Sequence, residues 1–236
     1  MKTSSLFTFI KMPIRRLLKS IIKEVENDTG HDIALELQYR ALQSTADYIQ
    51  ENMKEVNSVD SNLELLTQSL KKADIGKNNL ICEFGVFSGR TINHIAQLVE
   101  EPVYGFDSFE GLPERWRDKY DQGHFKVSTL PKVKPNVVLI KGWFDQTLPK
   151  FLQEHLEFIG FLHIDCDLYS STKTIIELCK KRIVSGTVIV FDEYFNYPNW
   201  EHGEFKAFQE FINANSLRYQ YLGYNRFYEQ VAIKIL

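Results

Sequence analysis

Two carboxylates stand one residue apart where an apolar run ends, in LHIDCDLYSST (162–172): Asp165 and Asp167. A second acidic pair, Asp192 and Glu193, closes another apolar run 27 residues after Asp165. Glu83 and Asp107 stand at the ends of two further runs. Carboxylates so placed accept protons, bind cations or take hydrogen bonds from sugar hydroxyls. Asp165 is the functional candidate of its pair, because a carboxylate ending a core strand is costly without a partner. Asp167 is expected instead to cap the turn or helix that follows.

Around these acids lie other residues with chemical use. CEFGVFSGRT (82–91) places Gly85 and Gly89 between a strand and a helix, where the backbone turns sharply and can approach a ligand closely. The spacing is G-x-x-x-G, neither the dinucleotide fingerprint nor a phosphate loop. Glu83 would repel a polyphosphate but could pair with the charged amino acid end of a ligand. Asp107, at the next strand end, is placed to accept both hydroxyls of a ribose. Trp143, after LIKG, is either a stacking surface for a flat base or a core or rim tryptophan. In NYPNWEHGEFKAF (196–208), Tyr197, Trp200 and His202 suggest an aromatic, polar loop over an acceptor site, with His202 a proton acceptor. His163, inside a strand, is expected to be packed or hydrogen-bonded there.

These residues need a frame. Leu35, Tyr39, Leu42, Ala46, Ile49, Met53 and Val56 recur at steps of three and four, which predicts a helix over 32–56 capped by Asp32. Its stripe should pack on the sheet or on another subunit. A shorter helix carries Leu63, Leu66 and Leu70. No strand signal precedes residue 75, so 1–75 is expected to be a helical N-terminal extension and cap, and 76–236 the main domain. From Asn79 the pattern changes. LICEFG, PVYGFDSF, NVVLIKG, FIGFLHID and GTVIVFDEY read as strands, with helices at TINHIAQLV, 170–183 and 204–213. RYQYLGY and QVAIKIL should form a final antiparallel hairpin. The expected fold is α/β and Rossmann-like, a mostly parallel sheet covered on both faces, with ligands outside the carboxyl ends of its strands.

Composition narrows the field. The chain has 236 residues, 44% hydrophobic and 25% charged, with a net charge of -3. No basic stripe crosses the half that carries these acids, which disfavours nucleic acid as a partner. Three cysteines, Cys82, Cys166 and Cys179, suit neither a disulfide framework nor a zinc site. Cys82, in a strand run, and Cys179, on a helix, are expected to be core thiols, in a reducing, cytoplasmic setting. Six Lys/Arg residues precede the first acid, Glu24, and residues 14–25 fit a basic amphipathic helix or an N-terminal extension. LFTFI is too short for a signal-peptide core, and no run reaches transmembrane length.

ICEFGVFSGRT, YGFDSFEGLP, KGWFDQTLP, LHIDCDLYSST and VIVFDEY occur in the order seen in the macrocin O-methyltransferase-like family, which the chain resembles over residues 80–211. Those proteins are class I S-adenosylmethionine-dependent methyltransferases, many acting on sugar hydroxyls of natural products. The resemblance implies an O-methyltransferase with a small-molecule acceptor, a sugar or glycosylated metabolite, and is compatible with a homodimer. It puts Glu83 and Gly85, with the Gly89 loop, at the amino acid end of the cofactor. Asp107 falls at the ribose, with Ser108 and Trp143 near the adenosine. It makes Asp165 both general base and metal ligand, with Asp192 and Glu193 completing a Mg²⁺ site. Glu193 stands where the family usually has Asp, and its reach is one methylene longer. Mg²⁺ demands tight octahedral geometry, so a metal-free base stays open. Two other readings stand beside this one: a cofactor-binding protein without turnover, and a methyltransferase with an amine acceptor.

Overall fold

A computed structural model describes residues 18–19, 32–76 and 79–236; the basic stretch 14–25 lies, apart from 18–19, outside them. The helices are α1 (Ile33–Asn52), α2 (Asn62–Leu70), α3 (Arg90–Ala96), α4 (Phe144–Glu154), α5 (Tyr169–Cys179) and α6 (Glu204–Asn215). The strands are β1 (Ser58–Val59), β2 (Asn79–Phe84), β3 (Val103–Asp107), β4 (Val137–Lys141), β5 (Phe158–Ile164), β6 (Val188–Phe191), β7 (Tyr219–Asn225) and β8 (Val231–Ile235).

Asp32 caps α1 as its type predicts, accepting a hydrogen bond from the Leu35 N–H at 3.1 Å. The helix ends earlier than its stripe, because Met53 leaves helical geometry with φ -131°. Its inward face matches the predicted stripe only at its far end, where Met53 is buried and Ile49 and Val56 pack on the core. Ala41 and Thr45 are buried, whereas Tyr39 and Leu42 are exposed. Polar anchors turn the helix this way. Gln38 donates to the Asn196 carbonyl, Thr45 accepts from the Asn196 N–H, and Ser44 accepts from the Trp200 indole. Tyr48, on the same face, meets Trp200, Phe205 and Tyr221 edge to face.

Two further elements depart from the sequence reading. Residues 58–59 are a strand, β1, pairing in parallel with the end of β7, so the first 75 residues are not purely helical. Helix α4 was not anticipated. It carries Pro149 in its interior, where proline is disfavoured, yet buries Leu148 and Phe151.

The sheet has eight strands in the order β1-β7-β8-β6-β5-β2-β3-β4. All pairs are parallel except those that β8 makes with β6 and β7. Both faces are apolar, with Leu162, Ile164 and Phe208 on one side and Ile81, Phe161 and Val190 on the other. Cys82, Cys166 and Cys179 are free and buried. From β2 the chain first winds outward through β3 and β4, then returns to place β5 on the other side of β2. A crevice forms at such a reversal, at the carboxyl ends of the strands. Register aligns those ends: Phe84 pairs with both Phe106 and Ile164, and Ile164 pairs with Phe191. Gly85, Asp165 and Asp192 therefore leave the sheet side by side.

Candidate active site

A cavity of about 310 Å³ opens at this edge, between β2 and β5. Gly85 has φ +94°, and a Cβ there would lie 1.6 Å from the Asp165 carbonyl oxygen. No side chain fits, so the loop after β2 can press directly against the end of β5. Gly89 precedes α3 with φ +79° and stands behind this loop, off the cavity wall.

Asp107 lines the cavity, but its oxygens already hold the chain. Oδ2 accepts from the N–H groups of Val86 and Phe87 at 2.8 Å each, and Oδ1 accepts from the Phe109 N–H at 2.7 Å. The side chain ties the loop after β2 to the end of β3. Ser108 lies beside it, its hydroxyl accepting from the Glu110 N–H at 3.1 Å. Trp143, just before α4, also lines the cavity.

Glu83 does not reach the cavity. It is fully buried, with Oε1 accepting from the Thr91 hydroxyl at 3.1 Å and Oε2 bonded to His163 Nδ1 at 2.9 Å. Strand geometry explains this: Gly85 occupies the lip and Glu83 lies below it, inside the sheet layer. Burial raises the Glu83 pKa, while the bonds from His163 and Thr91 oppose that rise. His163 is hydrogen-bonded within its strand, as expected. Burial disfavours its charge, yet Asp192 and Glu83 on either side raise its pKa well above the ordinary value.

Asp165 lines the cavity, and burial together with the nearby Asp192 charge pushes its pKa well up. Asp167 does not cap α5: no side chain caps that helix, and the residue before it is Leu168. Instead Asp167, with φ +65°, also lines the cavity. Its carboxylate makes no hydrogen bond among the described residues. Burial and the Asp192 charge, opposed by Arg117, push it to about 7. Asp192 behaves the other way. Burial would raise its pKa, but His163 and Gln230 outweigh that and hold it below the ordinary range.

The cation-binding geometry differs from the expected set. Donor atoms of His163, Asp165 and Asp192 lie within 4.8 Å of one another, and Glu193 is outside this group. The Glu193 backbone N–H is drawn toward α6 by Glu204 Oε2, at 3.1 Å, and its own Oε2 is buried without a partner. Asp165 and Asp192 offer carboxylate oxygens at this corner; Asp192 Oδ1 makes no hydrogen bond among the described residues and lies 3.5 Å from His163 Nε2.

His202 is also displaced from its expected role. It is exposed, in the short 3₁₀ turn Trp200–His202, and off the cavity wall. Tyr197 and Trp200 are buried, and Trp200 packs back on α1. The aromatic wall comes instead from the long β3–β4 connection, through Trp116, Tyr120 and Phe125. Arg117 lies 3.7 Å over the Trp116 ring and pairs with Glu229 at 3.0 Å. Sequence reasoning passed over this wall and over the exposure of Asp167 to the cavity. The available signal was the interleaving of aromatic and charged residues in ERWRDKY, right after DSFEGLP.

Residues 82–194 match the protein family described as a methyltransferase domain, a little under half of the chain. No curated protein sequence matches at a significant level. Among solved structures, CalS11, the calicheamicin methyltransferase, is 23% identical with a TM-score of 0.61, covering 73% of this chain and 78% of its own. Its apo form, a TDP-rhamnose 3'-O-methyltransferase, gives 22% identity and a TM-score of 0.51, over 73% and 77% of the two chains. The O-methyltransferase NovP is 20% identical with a TM-score of 0.54, over 73% and 78%. No helix among the described residues is long and apolar enough to cross a membrane. Residues 82–194 thus match a methyltransferase domain, and the chain has the Rossmann-like fold of these methyltransferase structures.

Proposed function

We propose that the protein is an S-adenosylmethionine-dependent O-methyltransferase acting on a hydroxyl of a small molecule, a sugar or glycosylated metabolite. The observation that carries this reading is the pair Asp165 and Asp167 facing one cavity at the reversal of the sheet, opposite an aromatic wall. Aromatic faces suit the apolar faces of a sugar ring, and the carboxylates suit its hydroxyls.

When bound, S-adenosylmethionine supplies a methyl group whose bond to sulfur breaks as the acceptor oxygen takes it. Gly85, Asp107, Ser108 and Trp143 shape the half of the cavity that would hold the cofactor. Trp116 and Tyr120 shape the acceptor half. Asp167 takes the hydroxyl proton. It faces the cavity, has no competing hydrogen bond among the described residues, and has a pKa of about 7, where a general base works best. Asp165 orients the acceptor beside it. Glu83 acts at one remove, by holding His163 against Asp192. If a divalent cation is used, Asp165 and Asp192 would hold it, and it would lower the pKa of the acceptor hydroxyl. Holding both reactants in one cavity supplies much of the rate.

The test has two stages. Calorimetric titration with S-adenosylmethionine and its demethylated product comes first, and absence of binding at millimolar ligand would sink the cofactor assignment. Methyl transfer is then followed by mass spectrometry against sugar nucleotides, glycosides and amines, with TDP-rhamnose as the first probe, with and without chelator. Transfer to amines alone would replace the hydroxyl reading.

A further inference from the structure

The β7–β8 hairpin lies beyond the residues that match the methyltransferase domain, yet its turn reaches the site. Asn225 ends β7 and Gln230 precedes β8; they are 1% and 8% exposed. Three hydrogen bonds run through them in one direction. The Phe227 N–H donates to Asn225 Oδ1 at 3.0 Å, Asn225 Nδ2 donates to Gln230 Oε1 at 2.8 Å, and Gln230 Nε2 donates to Asp192 Oδ2 at 2.9 Å.

The chemistry of the first bond sets the rest. A backbone N–H can only donate, so Asn225 must turn its oxygen to Phe227 and its NH₂ to Gln230. Gln230 must then offer its own oxygen to Asn225 and its NH₂ to Asp192. Reversing Gln230 would set two NH₂ groups against each other at one end and two acceptors at the other. The turn does not need these side chains to close, because the Asn225 N–H already bonds to the Gln230 carbonyl at 2.9 Å. Two buried amides beyond that closure call for another purpose.

We propose that Gln230 is a positioning residue of the methyl-transfer site. Its amide, oriented by Asn225, pins Oδ2 of Asp192 and so directs Oδ1 toward His163 and Asp165. Oδ1 lies 3.5 Å from His163 Nε2, and no hydrogen bond among the described residues holds it. The position of that oxygen is therefore set from the far side of the carboxylate, by the hairpin. The proposal rests on the functional reading above only in assigning Asp192 to the site.

Three substitutions separate the relay from the fold. Gln230→Leu removes the donor. Gln230→Glu sets an acceptor against Asp192. Asn225→Asp is nearly isosteric and leaves Gln230 in place, but it removes the donor that orients it, so the Gln230 amide reverses. With TDP-rhamnose as the acceptor probe, each is expected to lower kcat about 10- to 100-fold, the effect of losing one hydrogen bond to a charged group. The S-adenosylmethionine Kd by calorimetry stays within about twofold, which separates positioning from general damage. The double variant Asn225→Asp with Gln230→Leu is no slower than Gln230→Leu alone, because both act through one bond. Crystal structures of the wild-type and Asn225→Asp proteins give a readout that needs no turnover: the Asp192 carboxylate is rotated in the variant. A folded Gln230→Leu protein with wild-type kcat, or an unmoved Asp192 carboxylate in the Asn225→Asp structure, overturns the relay. If the wild-type protein binds S-adenosylmethionine but methylates no acceptor, the O-methyltransferase reading fails, and the relay is still decided by the two structures.

Discussion

Replacing Asp107 by alanine is expected to loosen the loop that walls the cavity as well as weaken ligand binding. Three backbone N–H groups, of Val86, Phe87 and Phe109, lose their acceptor at once. A hydrogen bond to a charged group contributes about 1.5–3 kcal/mol. Phe87 is 45% exposed, so water replaces part of what its N–H loses. The net destabilisation is then about 3–5 kcal/mol. In a domain of this size each kcal/mol moves the Tm by about 2–4 °C, so the melting point should fall by about 6–20 °C. Affinity for S-adenosylmethionine should fall with it, because the loop carrying Gly85 loses its fixed shape. Asp107→Asn keeps one accepting oxygen and should lose about half as much stability. Circular dichroism melts of the three proteins, with calorimetric titration of each, supply both numbers. An Asp107→Ala protein that melts within about 1 °C of wild type while binding no cofactor would refute the reasoning, since the carboxylate would then serve the ligand alone.

Asp165→Asn and Asp167→Asn should each slow methyl transfer by about 10²-fold or more, the range for a lost acid–base group, with cofactor affinity nearly unchanged. Near-normal turnover in Asp167→Asn would move the base to Asp165. His202→Ala should leave kcat within about twofold of wild type, because the side chain is exposed and off the cavity; a large loss would bring that turn into the site. Burial raises Glu204 to about 8, against roughly 4.3 in an unfolded chain. The folded state therefore holds this proton more tightly, and the resulting stability is full below about pH 4.3 and is lost as pH rises through about 8. Denaturant titration should find Glu204→Gln gaining on wild type between pH 6 and pH 9, and an equal pH dependence of the two proteins would contradict the raised pKa.

The order of elements from β2 to β8 could be read in the sequence, with α4 the exception, because alternation, helical period and turn residues are local. For the same reason the acids Asp107, Asp165 and Asp192 could be placed at strand ends, and Gly85 at a sharp turn. Side-chain direction beyond those ends was not local. Glu83 turns inward because His163, 80 residues away, lies in register beside it on β5. Glu193 leaves the cation corner because Glu204, on α6, holds its backbone. Asp167 faces the cavity although its neighbours in sequence pointed to a capping role. The face that α1 buries was set by Asn196 and Trp200, more than 150 residues away. Strand β1 is only two residues long, too short for any periodicity to register. Sequence pattern thus determined most of the elements, all but α4 and β1, and which acids end them. Tertiary structure decided where those side chains point, because that depends on sheet register and hydrogen bonds between residues far apart in the chain.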